Sequence, residues 1–464
     1  MRRTICGFLL VASAASAAAR IAVLDMGVLG AGPYGYATPP DAFAAALGDR
    51  HEVKRVTADE LSAPAFLSEG YDLLVVPCGA FFPISAADNL VAYLKAGGNL
   101  LTAGGYAFDQ PVIRHGGAWM RPADLRADLP SGTTPRIFPK AAAWTRTHSG
   151  SDEEAAFTDV SAPDGSPGLQ IAAPGLRFYN SVVATLPAGF FGDDDMISFL
   201  AKGSDGTPFA ALELDEEDGS RWRVKVPLTD EWREVRFAEW DFSFMADRSP
   251  KARGGLGDKV RFSRVRRVNF GLTCAFIRNH SGPCGAAIAN LRSGRDPDPE
   301  VRRLSRASAR INTRYAFIRT ALFPAPEQIG VFDPSFLLEN VGDVARAPEM
   351  AGVLPEAALP GRHGGYAAVG PLGLDGRGFS VNRCAWRPIL STKDAHGETW
   401  GPAAAILHHF NGTFAGSSWA FFGIDAADAL CCFVGQLARI ACVEQVGFLG
   451  FDQVAVRARR MRDG

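Results

Sequence analysis

The sequence lacks an excess of charge of either sign and any long apolar run beyond its first residues. Its 464 residues carry 48 Lys and Arg against 50 Asp and Glu, which leaves a net charge of −2. This balance excludes a strongly basic nucleic-acid binder and a polyacidic chain. The most apolar later segment, residues 421–442, is interrupted by Asp425, Asp428 and Arg439, so it falls short of the roughly 20 apolar residues of a membrane helix. We expect no nucleic-acid partner and no membrane span.

The motifs of several enzyme classes are also missing. The 8 histidines show no metal-ligand spacing, and no C-x-x-C occurs among the 8 cysteines. A phosphate-binding G-x-x-x-x-G-K-[S/T] loop and a G-x-S-x-G nucleophile elbow are absent as well. The sequence accordingly predicts no catalytic residue and no cofactor.

The first residues have the pattern of an export signal. Arg2 and Arg3 form a positive region, Thr4–Ala15 is apolar, and Ala17–Ala19 supplies small residues of the A-x-A type. The apolar stretch is too short for a membrane helix and is followed closely by Arg20. We predict a signal peptide over residues 1–19 and a secreted or periplasmic protein.

Cysteine usage agrees with export. Cys274 and Cys284 flank a turn-rich stretch that ends in Gly282-Pro283, and this spacing predicts a disulfide that closes a β-hairpin. Cys431, Cys432 and Cys442 lie in an apolar helical pattern, which favours buried free thiols.

Residues 20–117 alternate between strand and helix patterns. Ile21–Leu24, Tyr71–Pro77 and Asn99–Ala103 are short apolar runs, and helical periodicity separates them. Strands that alternate with helices predict a parallel sheet with both faces covered.

The stretch YDLLVVPCGAFFP…LVAYLKAGGNLLTAGGYAF resembles the class I glutamine amidotransferase-like domain, which has a flavodoxin-like α/β fold. The degenerate form of this domain occurs in accessory domains of bacterial glycoside hydrolases and in trehalose-utilisation-like proteins. The family's enzymes carry a nucleophilic Cys on the turn after the strand that is here Asn99–Ala103, and this sequence has Gly104-Gly105-Tyr106 there. Cys78 follows the preceding strand, so we predict a structural role for it. His408 and His409 end a later strand near the place of the family's catalytic His, but neither is followed by a Glu two residues on.

The resemblance therefore implies a scaffold without acyl-transfer activity. In open α/β sheets, ligands bind outside the carboxyl ends of the strands. The aromatic and acidic residues of the loops on that edge could hold a sugar by stacking and hydrogen bonding; they are Asp25, Tyr34, Tyr36, Phe81, Tyr106 and Asp109. The alternative is that they close a vestigial pocket or an oligomer contact.

Residues 136–291 show short alternating strands instead of helices. Arg221–Val226 alternates strictly, which turns Trp222, Val224 and Val226 to one face and three basic residues to the other. Phe209–Leu214 is its predicted partner. Many short strands separated by turns predict a β-sandwich over residues 135–295.

The strand spacing and tryptophans of ISFLAKGSDGTPFAALELDEEDGSRWRVKV…FSRVRRVNFGL…AAIANL resemble the jelly-roll carbohydrate-binding modules with a galactose-binding-like fold. The resemblance implies that aromatic rings stack on sugar rings. Trp222 and Trp232 fall at core positions, whereas Phe178, Tyr179 and Trp240 lie at strand ends or loops and are the sugar-binding candidates.

Acidic turns in this region suggest a further, weaker hypothesis. Asp193, Asp194 and Asp195, and the turn 215–218, could supply oxygen ligands to a structural calcium, as such modules often do. Solvated turn charges explain these residues equally well.

The last third returns to α/β character. Ala403–Leu407 and Ser418–Phe422 are strands joined through Asn411-Gly412, and an apolar-faced helix over 425–441 follows. This order is similar to the closing portion of the amidotransferase-like domain. We therefore predict a discontinuous α/β domain over 20–130 and 305–450, with the sandwich of 135–295 inserted and a basic C-terminal tail over 451–464. The simpler alternative is three consecutive domains.

These patterns predict a secreted, non-catalytic carbohydrate-binding or accessory protein of polysaccharide metabolism. Its partner would be a glycan or oligosaccharide, and the near-neutral charge favours an uncharged one. A polysaccharide-active glycoside hydrolase that uses Asp25, Asp109 and Glu398 is the competing hypothesis, although residues 300–464 are too few for the usual barrel of about 250 residues. A third hypothesis is a structural role in the assembly of a homo-oligomer.

Overall fold

A computed structural model of the chain describes most of its first two thirds and separate strands of its last third. The described residues are 18–27, 39–49, 51–78, 81–104, 110–127, 133–136, 140–150, 152–245, 249–250, 252–254, 258–273, 276–277, 282–296, 302, 333–341, 344–347, 358–359, 363–369, 379–380, 384–391, 402–409 and 414–423. The predicted signal peptide up to residue 17, the predicted helix over 425–441 with its three cysteines, and the tail lie outside these residues.

The α-helices are α1 Pro40–Leu47, α2 Ala58–Ser62, α3 Ala87–Lys95 and α4 Pro122–Ala127. The strands before the sandwich are β1 Arg20–Asp25, β2 Glu52–Thr57, β3 Leu73–Val76, β4 Phe81–Pro83, β5 Asn99–Ala103, β6 Gln110–His115 and β7 Ala118–Met120. Those of the sandwich are β8 Thr134–Pro135, β9 Thr145–His148, β10 Ala156–Ser161, β11 Pro167–Ala173, β12 Tyr179–Thr185, β13 Met196–Ser204, β14 Phe209–Glu216, β15 Arg221–Pro227, β16 Arg233–Ala238, β17 Ser243–Met245, β18 Val265–Thr273 and β19 Cys284–Gly294. The later strands are β20 Asp333–Val341, β21 Val344–Arg346, β22 Ala358–Leu359, β23 His363–Val369, β24 Phe379–Ser380, β25 Cys384–Ser391, β26 Pro402–His409 and β27 Ser418–Phe422.

Sheet A joins strands from both ends of the described chain. Its order is β2-β1-β3-β5-β27-β26-β25-β21-β22, and β24 also pairs with β25. The first five of these strands run parallel, whereas β26 and β25 are antiparallel to their neighbours. The register places Trp419 of β27 beside Leu100 of β5. Distant parts of the sequence therefore share one sheet.

The first core lies against sheet A. Leu90 and Leu94 are one helical turn apart on α3, and both are buried with strand residues such as Leu74. Their i, i+4 spacing is that of a helix with one apolar face, and each buried leucine contributes about 1.5–3 kcal/mol. The buried Tyr93 hydroxyl donates to the carbonyl oxygen of Asn99 at 2.9 Å, which ties α3 to the start of β5.

The second core lies between the two sheets of a β-sandwich, as predicted. Sheet B has the order β10-β11-β19-β13-β16, with β8 paired to β19, and sheet C has the order β17-β15-β14-β18-β12-β9. Trp222 of sheet C is fully buried in this core together with Phe199 and Ile288 of sheet B, so its predicted core position is confirmed. Trp232, also predicted in the core, is half-buried.

The described chain is mostly strand. α2 spans only 5 residues, and where the sequence pattern predicts continued α/β alternation, β4, β6 and β7 form a small three-stranded sheet instead. β20 and β23 pair with each other apart from sheet A. Within the described residues, no helix is both long and apolar enough to cross a bilayer.

A buried ion cluster joins α4 to the sandwich. The fully buried Arg126 guanidinium donates to Asp296 at 2.9 Å, after the last sandwich strand, and to Asp241 at 2.6 Å. Arg236 of β16 donates to the Arg126 carbonyl oxygen at 3.0 Å. The neighbouring Leu125 packs in the first core, so α4 contacts both cores. The segments that lead into and out of the sandwich are thus held together.

Substitution Arg126→Met is expected to lower the free energy of unfolding by about 3–5 kcal/mol, because it leaves two carboxylates buried without their cation. Urea unfolding followed by circular dichroism measures this loss. Arg55→Met is the matched control, since Arg55 pairs with Asp41 at the surface and such pairs contribute about 0–1 kcal/mol. The double substitution Arg126→Met/Asp296→Asn should recover part of the loss; equal effects of Arg126→Met and Arg55→Met would contradict this interpretation.

Candidate functional site

Of the residues predicted at the carboxyl edge of sheet A, the structure describes Asp25 and Phe81. Asp25 ends β1, accepts a hydrogen bond from the Gly27 amide at 3.0 Å and lies 3.7 Å from the Arg55 guanidinium. Phe81 packs against the first core. Tyr34, Tyr36, Tyr106, Asp109 and Glu398 lie outside the described residues.

The same edge lacks an activated nucleophile in the part that the structure describes. Burial, with a smaller contribution from Asp25, raises the pKa of the Cys78 thiol to about 12, so this thiol is protonated at neutral pH and is a poor nucleophile. Gly104 follows β5 with a φ of 91°, and its amide donates to the Phe422 carbonyl oxygen at 3.0 Å. Cys78 thus has the properties of the structural residue that was predicted.

His408 and His409 lie at the opposite edge of sheet A. His408 stands across from Ser418, the first residue of β27, whose amide donates to the Asn99 side chain at the start of β5. The amino ends of the parallel strands therefore meet these histidines, because β26 runs antiparallel to β27. A position for them near a catalytic turn after β5 is wrong, since that turn lies at the other end of the strand.

The outer face of sheet C is a more complete site. We use "outer face" for the side chains of sheet C that point away from sheet B. In β15 the buried Trp222, Val224 and Val226 face the core, so Arg221, Arg223 and Lys225 belong to the outer face. The polar half of this strand was predicted from its alternation. Its neighbours across the sheet follow only from the strand register.

The register builds a row of small residues across four strands. Ala211, Gly271, Ser181 and Thr147 stand side by side on β14, β18, β12 and β9, and Lys225 is opposite Ala211 on β15. A Cβ atom on Gly271 would lie 2.2 Å from the Ser181 Cβ, so only glycine fits there. At about 4.8 Å per strand, this small-residue row spans about 14 Å, and its Ala211, Gly271 and Ser181 are buried.

The two flanks of the small-residue row differ in character. One flank is polar and has Arg223, Glu213 and Asn269 side by side in register. The other flank contains Tyr179, paired with Thr273 and two residues from Ser181 on the same face of β12. Planar polar groups on one side and an aromatic ring on the other can hydrogen-bond and stack on one ligand.

Tyr179 is held at this position by Asp152. The Asp152 carboxylate accepts hydrogen bonds from the amides of Arg177, Phe178 and Tyr179 at 2.6–3.1 Å. The Tyr179 side chain is nevertheless 40% exposed. A fixed backbone with an exposed ring is the arrangement that a stacking platform needs, since little conformational freedom is lost on binding.

The other aromatic candidates are not arranged in this way. Phe178 is half-buried with the Arg177 guanidinium 5.6 Å from its ring. Trp240 lies on a 3₁₀ turn after β16, the edge strand of sheet B, and the Lys259 ammonium is 4.9 Å from its ring. Trp240 therefore does not join Tyr179 on the outer face of sheet C.

Most of the predicted calcium ligands have protein partners. Asp194 accepts from Arg136 at 2.6 Å, and Asp195 accepts from the Asp296 amide at 2.7 Å, while Asp193 is exposed. In the 215–218 turn, the Glu216 and Asp218 carboxylates bind Arg253. In the parts of the chain that are described, no group of three or more His, Cys, Asp or Glu side chains is arranged to hold a metal ion.

The predicted disulfide is not borne out. Cys284 is a free, buried thiol at the start of β19, and burial raises its pKa to about 12. Its side chain belongs to the second core, where it packs as a small apolar group. Its predicted partner Cys274 lies outside the described residues.

Comparisons with known proteins find only weak likenesses. No protein-family model and no curated protein matches the chain. Among solved structures, the family 11 carbohydrate-binding module from Clostridium thermocellum, in complex with a β-1,3-1,4-mixed-linked tetrasaccharide, is 16% identical with a TM-score of 0.29, over 36% of this chain and 97% of that chain. TmCBM61 in complex with β-1,4-galactotriose is 17% identical with a TM-score of 0.19, over 33% and 88% of the two chains. An exo-β-agarase is 8% identical with a TM-score of 0.25, over 36% and 25%. At TM-scores this low, the ligand has to be inferred from the geometry of this chain.

His409 gives a prediction for acid stability. Burial, with the neighbouring His408, lowers the pKa of His409 to about 3; its ring packs 4.3 Å from that of Trp419. Between pH 6.5 and 3 the unfolded chain binds the proton and the folded chain does not, so the free energy of unfolding falls as the pH falls, by up to about 1.4 kcal/mol per pH unit. His409→Phe should flatten this dependence in urea unfolding at pH 7.5, 5.5 and 4.5. His148→Phe, at an exposed position, should leave it unchanged; identical slopes for His409→Phe and the unaltered protein would contradict the assignment.

Proposed function

We propose that the protein binds glycan chains on the outer face of sheet C and does not cleave them. The observation that carries this proposal is the exposed Tyr179 ring beside the small-residue row, on a backbone whose amides donate to Asp152. A sugar ring has an apolar C–H face and a rim of hydroxyl groups. The aromatic ring suits the first, and the planar groups of Arg223, Glu213 and Asn269 across the row suit the second.

The shape of the site supports a chain ligand. The small-residue row crosses four strands without a bulky side chain, and a ligand that lies along it would contact both flanks. A compact ligand would use only part of this length. An oligosaccharide segment fits both the length and the alternation of apolar and polar contacts.

Sheet A is proposed as a scaffold with the degenerate amidotransferase-like, flavodoxin-like fold. The parallel pairing of β27 with β5 supports a discontinuous domain over 20–130 and 305–450 with the sandwich of 135–295 inserted. The buried thiol of Cys78 and the Gly104 turn support a non-catalytic role. Export through the leader at residues 1–19 would bring the protein to extracellular or periplasmic polysaccharide.

Substitution Tyr179→Ala is expected to weaken glycan binding about three- to tenfold, because stacking on an aromatic ring contributes about 0.5–1.5 kcal/mol. Tyr179→Phe should bind nearly as well as the unaltered protein, since it keeps the ring. Affinity electrophoresis against a panel of polysaccharides, followed by calorimetry on each ligand found, measures the change.

Leu67→Ala is the matched control, because Leu67 is a comparably exposed large apolar residue, at 44%, in the 3₁₀ helix Pro64–Ser68 near sheet A. It should leave binding unchanged. Unaltered binding by Tyr179→Ala would refute the proposal and indicate that glycan binds to another surface. If no polysaccharide retains the protein and light scattering shows a stable oligomer, the proposal is refuted in favour of a role in assembly. Release of reducing sugar by the purified protein would refute its non-catalytic part.

A further inference from the structure

The outer face of sheet C differs in charge from the chain as a whole. The chain has a net charge of −2. On β15, β14 and β18, the outer face carries more cations than carboxylates. The cations are Arg221, Arg223, Lys225 and Arg267, and the carboxylates are Glu213 and Asp215. These strand residues therefore leave two positive charges in excess.

The carboxylates lie at the bottom of this face and the guanidinium groups lie above them. The Glu213 and Asp215 side chains are 11% and 12% exposed, whereas Arg267 is 53% exposed. Glu213 pairs with Arg221 at 3.1 Å, and Asp215 pairs with Arg267 at 3.0 Å. Each acid is thus less exposed than the arginine that it pairs with, and Glu213 also lies 3.9 Å from Arg223.

Aromatic rings hold two of the cations near the end of the small-residue row. The Arg223 guanidinium carbon is 4.7 Å from the centre of the Phe276 ring, and the Lys225 ammonium is 5.2 Å from it. The same ammonium lies 5.1 Å from the Phe209 ring. Cation–π contacts of this kind fix the position of a charge.

We infer that the glycan bound on the outer face of sheet C is anionic and carries carboxylate or sulfate groups. This inference rests on the proposed function and names its ligand class. Guanidinium groups bind both kinds of oxyanion through paired N–H donors, and Lys225 adds a point charge opposite Ala211 at the end of the row. This inference replaces the uncharged glycan that the net charge of the sequence favours. A ligand interacts with the charges of the surface that it contacts and not with the net charge of the chain.

Two matched pairs of polysaccharides test the charge and its source. Polygalacturonate is compared with its methyl ester, and carrageenan with desulfated carrageenan, so that each pair differs in carboxylate or in sulfate. The anionic member of at least one pair should bind about tenfold more tightly at low salt. That preference should fall as sodium chloride rises from 50 to 500 mM, because ions screen exposed charges.

Lys225→Gln should weaken binding of the preferred anionic polysaccharide about three- to tenfold and leave binding of its neutral counterpart unchanged. Lys202→Gln is the control, because Lys202 lies on β13 of sheet B and is expected to have no effect. Thermal unfolding verifies that both variants are folded.

The outcomes separate the two proposals. Equal binding of neutral and anionic members, lost in Tyr179→Ala and unchanged by salt and by Lys225→Gln, overturns the anionic ligand and leaves the glycan site standing. Absence of binding to all four polysaccharides and to the wider panel overturns both. A salt-sensitive preference that Lys225→Gln does not alter places the anion elsewhere and also overturns the inference.

Discussion

The parallel pairing of β27 with β5 is the constraint on which the rest of the structure depends. It brings Trp419 beside Leu100, so the chain that leaves sheet A after β5 has to return to it. The buried ion pairs of Arg126 with Asp296 and Asp241 help to hold the chain for this return, because they join the segments before and after the sandwich. An ion pair without solvent needs its partners at fixed positions. The orientation of the sandwich against α4 is therefore set by a few directed bonds as well as by apolar packing.

The proposed binding face depends on the sandwich in a similar way. No segment of the sequence contains Ala211, Gly271, Ser181 and Thr147 together; they become neighbours through antiparallel register. Gly271 permits the close approach of β12 and β18, and Asp152 fixes the backbone that presents Tyr179. The proposed function of this face thus depends on strand pairing, and a shift of one residue would turn its side chains into the core.

The sequence is informative where one physical effect dominates. Strict alternation in Arg221–Val226 predicted which side of β15 is buried, and the apolar runs of β1, β3 and β5 predicted their strands. Tyr179 was a candidate from its place at a strand end. Asp152 was not, because a single carboxylate before a strand carries no signal until the amides of residues 177–179 are seen to converge on it.

The predicted disulfide was not borne out, since cysteine spacing does not reveal that Cys284 faces the core. The placement of His408 and His409 near a catalytic turn was wrong, because strand direction decides which edge of a sheet a residue occupies.

The central claim is that the outer face of sheet C is where the protein meets its ligand. Hydrogen–deuterium exchange with mass spectrometry, in the presence and absence of a retained polysaccharide, tests this most directly. The account predicts that bound polysaccharide slows exchange in peptides from β12, β14, β15 and β18 and leaves β10, β11 and β16 of sheet B unchanged. Slowed exchange confined to the carboxyl edge of sheet A, around Asp25, Cys78 and Gly104, would contradict it.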